Sequence, residues 1–132
     1  MKRVLILISF FISLTILGCR QGKAQENYVN VSPEKMQKLL LKTDKAQIID
    51  VRTPEEYQAG HLMHAINIDF YSKSFSEDIK KLDVEKPVFI YCKSGRRSRS
   101  STEQFKAAGF DKIYNLEGGY LGWIEQGHKI SD

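Results

Sequence analysis

Pro87-Val88-Phe89-Ile90-Tyr91-Cys92, followed by Lys93-Ser94-Gly95-Arg96-Arg97-Ser98, decides how the rest of the chain is read. Residues 87–91 form a near-continuous apolar run, the pattern of a strand covered on both faces in a parallel sheet. The run stops at Cys92, a polar loop with Gly95 follows, and Ser98 to Ala108 has helical character, with Phe105 and Ala108 inward and Gly109 as a C-cap. The thiol therefore stands between a strand end and a helix start. Backbone N–H groups and the positive end of a helix dipole both favour a thiolate there. Lys93, Arg96 and Arg97 push the same way, and Gly95 gives the backbone freedom that an anion-cradling loop needs. A thiol that works as a nucleophile must also be reachable from solvent, so Cys92 is expected to be accessible.

Outward from this loop, strands and helices alternate. Val31-Ser32-Pro33-Glu34 opens a helix in which Ser32 caps, Pro33 takes the first turn and Val31 staples onto Met36, with Leu39 and Leu40 on the same face. Ala46 to Val51 reads as a strand, Pro54 to Ala59 as a helical turn closed by Gly60, and Ala65 to Ile68 as a short strand. Glu77 to Leu82 reads as a short helix, Lys112 to Leu116 as a strand, Gly118-Gly119 as a turn, and Tyr120 to Gln126 as a last helix carrying Trp123. This order argues for an α/β domain with a mostly parallel central sheet flanked by helices in three layers. Ligands of such sheets bind at the carboxyl ends of strands, where Cys92 lies.

The first residues stand apart. Lys2 and Arg3 precede an apolar run from Val4 to Leu17, shorter than the roughly 20 residues that span a bilayer, and the order of charge then apolar run is that of an export signal. Ile16-Leu17-Gly18-Cys19 resembles a bacterial lipobox, in which Cys19 becomes the lipidated first residue, although Leu17 departs from the small residue usual there. Cleavage after Ala24 is the rival. The expected organisation is a signal over 1–18, a polar tether over 19–27 and one domain over 28–132, exported and held at a membrane by acyl chains on Cys19. About a hundred residues are enough for one modest core.

The chain carries 20 Lys and Arg against 16 Asp and Glu. Removing Lys2 and Arg3 with the signal leaves 18 against 16, a balance that gives no case for nucleic acid as a partner. With Cys19 lipidated, Cys92 has no cysteine to pair with, and an unpaired thiol in an oxidising compartment is either buried and inert or kept for its reactivity.

Four stretches, in order, resemble the rhodanese domain family over roughly residues 31–127. They are Ile48-Ile49-Asp50-Val51-Arg52 with Glu55-Glu56-Tyr57, Gly60-His61-Leu62 through Ala65-Ile66-Asn67-Ile68, the Cys92 to Ser98 loop, and Leu116-Glu117-Gly118-Gly119 with Trp123. The resemblance implies a rhodanese-like fold and a sulfurtransferase with Cys92 as the nucleophile that carries a persulfide. It implies a small anionic sulfur donor such as thiosulfate, with a thiol or cyanide as acceptor, a protein thiol among the partners to be considered, and no metal or organic cofactor. Lys93 and Arg97 would hold the donor, with Ser94, Gly95 and Arg96 completing the loop around it. Asp50, Arg52 and Ser98 would support the loop, Asp50 by a hydrogen bond to it; acidic and basic groups at a strand end pair with each other or with neighbouring loops, and for Arg52 the preferred partner is Glu55 or Glu56.

The family usually has Gly where His64 stands, so His64 is expected in a backbone conformation that Gly takes easily. His61 is expected to hold a turn and Trp123 to pack. Two other classes compete. A cysteine phosphatase needs an Arg six positions after its Cys to embrace phosphate, and that position here is Ser98, with Arg97 one residue early. A sulfur carrier or non-enzymatic binding module would turn over free thiosulfate poorly.

Overall fold

The computed structural model describes residues 27–131. The expected signal, the lipidated Cys19, the rival cleavage after Ala24 and nearly all of the expected tether lie outside the described residues.

Among the described residues, five strands form one parallel sheet. They are β1 (Tyr28–Val31), β2 (Gln47–Asp50), β4 (Ile66–Asn67), β5 (Val88–Tyr91) and β6 (Ile113–Leu116), in the spatial order β1-β6-β5-β2-β4. A separate antiparallel pair joins β3 (His61–Leu62) to β7 (Ile130–Ser131). The helices are α1 (Pro33–Lys42), α2 (Pro54–Gln58), α3 (Phe75–Ile79), α4 (Arg96–Ala107) and α5 (Gly119–Glu125).

The two-residue period of the strands sorts their side chains into two cores. On one face Ile49, Val51, Val88, Ile90 and Cys92 pack with Phe75 and Ile79 of α3 and Phe105 of α4. On the other, Ile48, Phe89, Tyr91 and Leu116 pack with Met36 of α1 and Trp123 of α5. This is the three-layer α/β arrangement that the alternation of elements predicts. All four side chains of β5 are buried, as its unbroken apolar run requires.

Local chemistry sets the helix starts. The Ser32 hydroxyl accepts from the Lys35 amide at 3.3 Å, Pro33 follows it, and Val31 and Met36 share one core, as the staple expects. Thr53 and Glu56 form a reciprocal capping box on α2. Two expected elements shift. The helix expected over Glu77 to Leu82 starts earlier, at Phe75, because Phe75 and Ile79 are its buried pair. The helix expected from Ser98 starts at Arg96, so Arg96 and Arg97 belong to its first turn and not to the loop.

A buried polar knot ties the sheet together at the carboxyl end of β2. The Arg52 guanidinium donates to both Asp50 oxygens at 2.7 to 3.0 Å and to the Gly60 carbonyl at 2.6 Å. It also lies over the Tyr120 ring at 4.1 Å. The Tyr91 hydroxyl donates to Asp50 at 2.6 Å and accepts from the Leu62 amide at 3.1 Å. Burial pulls the Arg52 pKa down, but the Asp50 hydrogen bond and charge outweigh it, so the guanidinium stays charged. Burial first, then the Asp50 carboxylate, push the Tyr91 phenol well up. The expected pairing of Arg52 with Glu55 or Glu56 is therefore corrected: Asp50 is nearer along the strand end, and Glu56 is engaged elsewhere. Removing one member of such a pair strands the other. Asp50→Ala is expected to cost roughly 3–5 kcal/mol of stability, read as a shift of the urea unfolding midpoint.

Candidate active site

Cys92 follows β5 directly, and its sulfur occupies the place where a capping side chain would stand at the start of α4. Gly95 is the N-cap residue of α4 and has no side chain to offer the free helix amides. The Cys92 Sγ takes that role. It accepts from the Gly95 amide at 3.1 Å and from the Ser98 hydroxyl at 3.5 Å. Burial pushes the Cys92 thiol up, yet the Ser98 hydroxyl and the amides of Ser98, Ser94 and Gly95 together outweigh burial, and its pKa lies below the ordinary thiol value. Gly95 adopts φ 99, a left-handed conformation that turns its N–H toward the sulfur and that other residues resist.

The loop is also held from outside. The Tyr120 amide donates to the Cys92 carbonyl at 2.8 Å and the Leu121 amide to the Lys93 carbonyl at 3.1 Å. This contact needs the closeness of Gly119: a Cβ there would stand 2.5 Å from the Cys92 carbonyl oxygen and 2.7 Å from the Lys93 carbonyl. Gly119 is also left-handed, at φ 59. With the Lys93 carbonyl drawn outward to α5, the Ser94 amide of the same peptide unit faces inward to the sulfur.

Each expected site residue has a definite place. Lys93, Ser94 and Arg96 are exposed around the loop, and Gly95 and Ser98 are buried beneath it. Arg97 turns to α2, where it makes a two-pronged ion pair with Glu56 at 2.7 and 2.8 Å. Hydrogen bonding to Arg97 first of all, reinforced by the Thr53 amide, holds the Glu56 carboxyl down at about 2. Asp50 does not touch the loop, contrary to the expected hydrogen bond. It acts one residue away, through the Tyr91 hydroxyl. Cys92 itself is 1 % exposed, which corrects the expectation of a solvent-open thiol: its sulfur lies on the sheet face packed against α3 and α4, under the loop amides.

His64 takes the left-handed conformation expected of it, at φ 65. His61 holds the α2 turn, with its Nδ1 3.0 Å from the Tyr57 carbonyl and its ring stacked on Tyr57 at 3.8 Å. Trp123 packs in the core and donates to the Lys129 carbonyl at 3.0 Å. The pairing of Glu56 with Arg97, the Tyr91 hydroxyl and the α5 amides were not foreseen. A visible signal existed for the last: two consecutive glycines ahead of a helix mark a close backbone approach.

Comparison with known proteins agrees with this geometry. The rhodanese-like domain family matches residues 32–126, and the chain belongs to that family. It is 31% identical over 96 residues to the thiosulfate sulfurtransferase GlpE of Pseudomonas entomophila, covering 73% of this chain and 84% of the relative. The uncharacterised protein YqhL of Bacillus subtilis is 37% identical over 79 residues, 60% of this chain and 61% of its own. A rhodanese-like domain protein of Staphylococcus aureus superposes with TM-score 0.66 at 27% identity, covering 78% of this chain and 98% of that one.

Two outcomes follow. Gly119→Ala puts a methyl group into the Cys92 carbonyl and forces a left-handed alanine, so it is expected to cost about 2 kcal/mol or more and to raise the Cys92 pKa, read by unfolding and by thiol titration. For Glu56, the folded carboxyl titrates below its ordinary value of 4.5, so its pairing stabilises the protein fully above that pH and the stabilisation fades as pH falls toward about 2. The stability gap between wild type and Glu56→Gln should close over that window.

Proposed function

We propose that the protein is a sulfurtransferase that moves sulfane sulfur from thiosulfate, or a similar small donor, to a thiol or cyanide through a persulfide on Cys92. The observation that carries this reading is the cup of amides and the Ser98 hydroxyl around a sulfur whose pKa is lowered. In the first half-reaction the Cys92 thiolate attacks the outer sulfur of thiosulfate. A new S–S bond forms, the original S–S bond breaks, and sulfite leaves with the electron pair. The terminal sulfur of the persulfide keeps the negative charge and needs the same inward-facing donors. In the second half-reaction the acceptor attacks that terminal sulfur and the thiolate is regenerated.

The name of the Pseudomonas relative supports thiosulfate as donor. Burial supports a compact donor over a bulky one and makes movement of the exposed Lys93 and Ser94 part of entry. Of the cations, Lys93 and Arg96 are exposed and free of ion pairs among the described residues, so they draw the anion in, while Arg97 with Glu56 fixes the first turn of α4. Ser98 in place of an Arg six positions after the nucleophile argues against phosphate as substrate.

Export and anchoring are part of the proposal. They rest on the Lys2-Arg3 and Val4 to Leu17 pattern and on Cys19, which would carry the lipid. Replacing Cys19 by Ser should then release the protein from the membrane fraction.

Thiosulfate treatment followed by intact-mass measurement checks the chemistry. Wild type should gain one sulfur atom, Cys92→Ser none, and cyanide should remove the gain. Absence of the adduct on wild type, or rapid turnover of an aryl phosphate, would sink the reading.

A further inference from the structure

Lys45, at φ 48, and His64, at φ 65, are the non-glycine residues with left-handed backbone among the described residues, and both lie on the wall of one cleft. That conformation costs a residue with a Cβ about 1–2 kcal/mol, and such strain gathers where a chain is shaped to hold something. The cleft has a volume of about 580 Å³, within the range of roughly 300–1,000 Å³ common for small-molecule sites. It opens on the sheet face that carries α1 and α5, whereas Cys92 lies on the opposite face, so it is separate from the reactive sulfur.

Its inner wall is apolar, from Leu40, Ile48, Leu62 and Trp123. Its charged lining groups, Lys45 and Lys129, are both positive. Gln37, Thr43, His64 and His128 complete its polar lining, no carboxylate lines it, and Glu34 lies within electrostatic reach of His128. The His128 ring packs against Trp123 with centroids 4.5 Å apart, and its Nε2 is buried without a hydrogen-bond partner. That nitrogen is covered by the protein itself, so the charged groups open to the cleft are the two lysines.

We propose that this cleft binds an amphipathic anion, an aliphatic chain ending in a carboxylate. The chain lies along Leu40, Leu62 and Trp123, and the carboxylate meets the cations of Lys45 and Lys129. Apolar walls supply the affinity, and the two lysines select a negative headgroup over a neutral one.

Trp123 is the single tryptophan of the chain, so its fluorescence reports this cleft alone. The full chain is titrated with dodecanoate, below the concentration at which it forms micelles, and with dodecanol as the neutral control. Dodecanoate should give a saturable change and bind about tenfold more tightly than dodecanol, and Lys45→Glu with Lys129→Glu, both on exposed positions, should abolish that preference. Cys92→Ser should bind as wild type does. An unsaturable response, equal binding of the alcohol, unchanged preference in the double variant, or loss of binding in Cys92→Ser would overturn the proposal.

Discussion

The reactive loop depends on a single backbone contact, the docking of the first amides of α5 on the carbonyls of Cys92 and Lys93. A peptide unit points its N–H and its C=O in opposite directions, so fixing the Lys93 carbonyl outward aims the Ser94 amide at the sulfur, beside the amides of Gly95 and Ser98. Gly119 permits the approach, since any side chain there would meet the Cys92 carbonyl. The glycine pair at 118 and 119, which lies far along the sequence from Cys92, is thus part of the machinery that lowers the thiol pKa. Burial works against that lowering, and the loop wins because several donors converge on one atom.

A second constraint keeps strand β5 where the loop needs it. The Asp50, Arg52 and Tyr91 knot joins the ends of β2 and β5 to the turn at Gly60 and to the ring of Tyr120. Tyr120 belongs to both systems, because its amide holds the Cys92 carbonyl and its ring covers Arg52. A buried ion pair gives little net stability by itself. Its value here is geometric: one charged pair sets the relative position of four segments that meet beneath the active loop. The Glu56 and Arg97 pair does the same from the other side, joining α2 to the first turn of α4.

Much of this was legible in the sequence because the relevant signals are local. The apolar run at 87–91 and the cap at Ser32 depend on neighbours a few residues away, the left-handed backbone at His64 was read from the family resemblance, and each appears as read. Cys92, Gly95 and Ser98 meet for the same reason, since they span one strand-to-helix turn. Pairings across the fold were not legible. Which carboxylate takes Arg52 and which takes Arg97 is decided by how the α2 turn lies against α4, and spacing carries no record of that. Strands β1, β3 and β7 are short and exist through their partners, so no periodicity announces them. The burial of Cys92 likewise follows from α3 and α4 closing over one sheet face.

The ionisation of Cys92 in the resting protein tests the account most directly. Thiolate absorbance followed against pH, with the Cys92→Ser protein subtracted to remove tyrosine and Cys19, isolates this one sulfur. A midpoint clearly below the ordinary thiol value of 9.0 is the expected result. A midpoint at or above that value would mean that burial prevails over the loop amides, and the account of the site would be wrong.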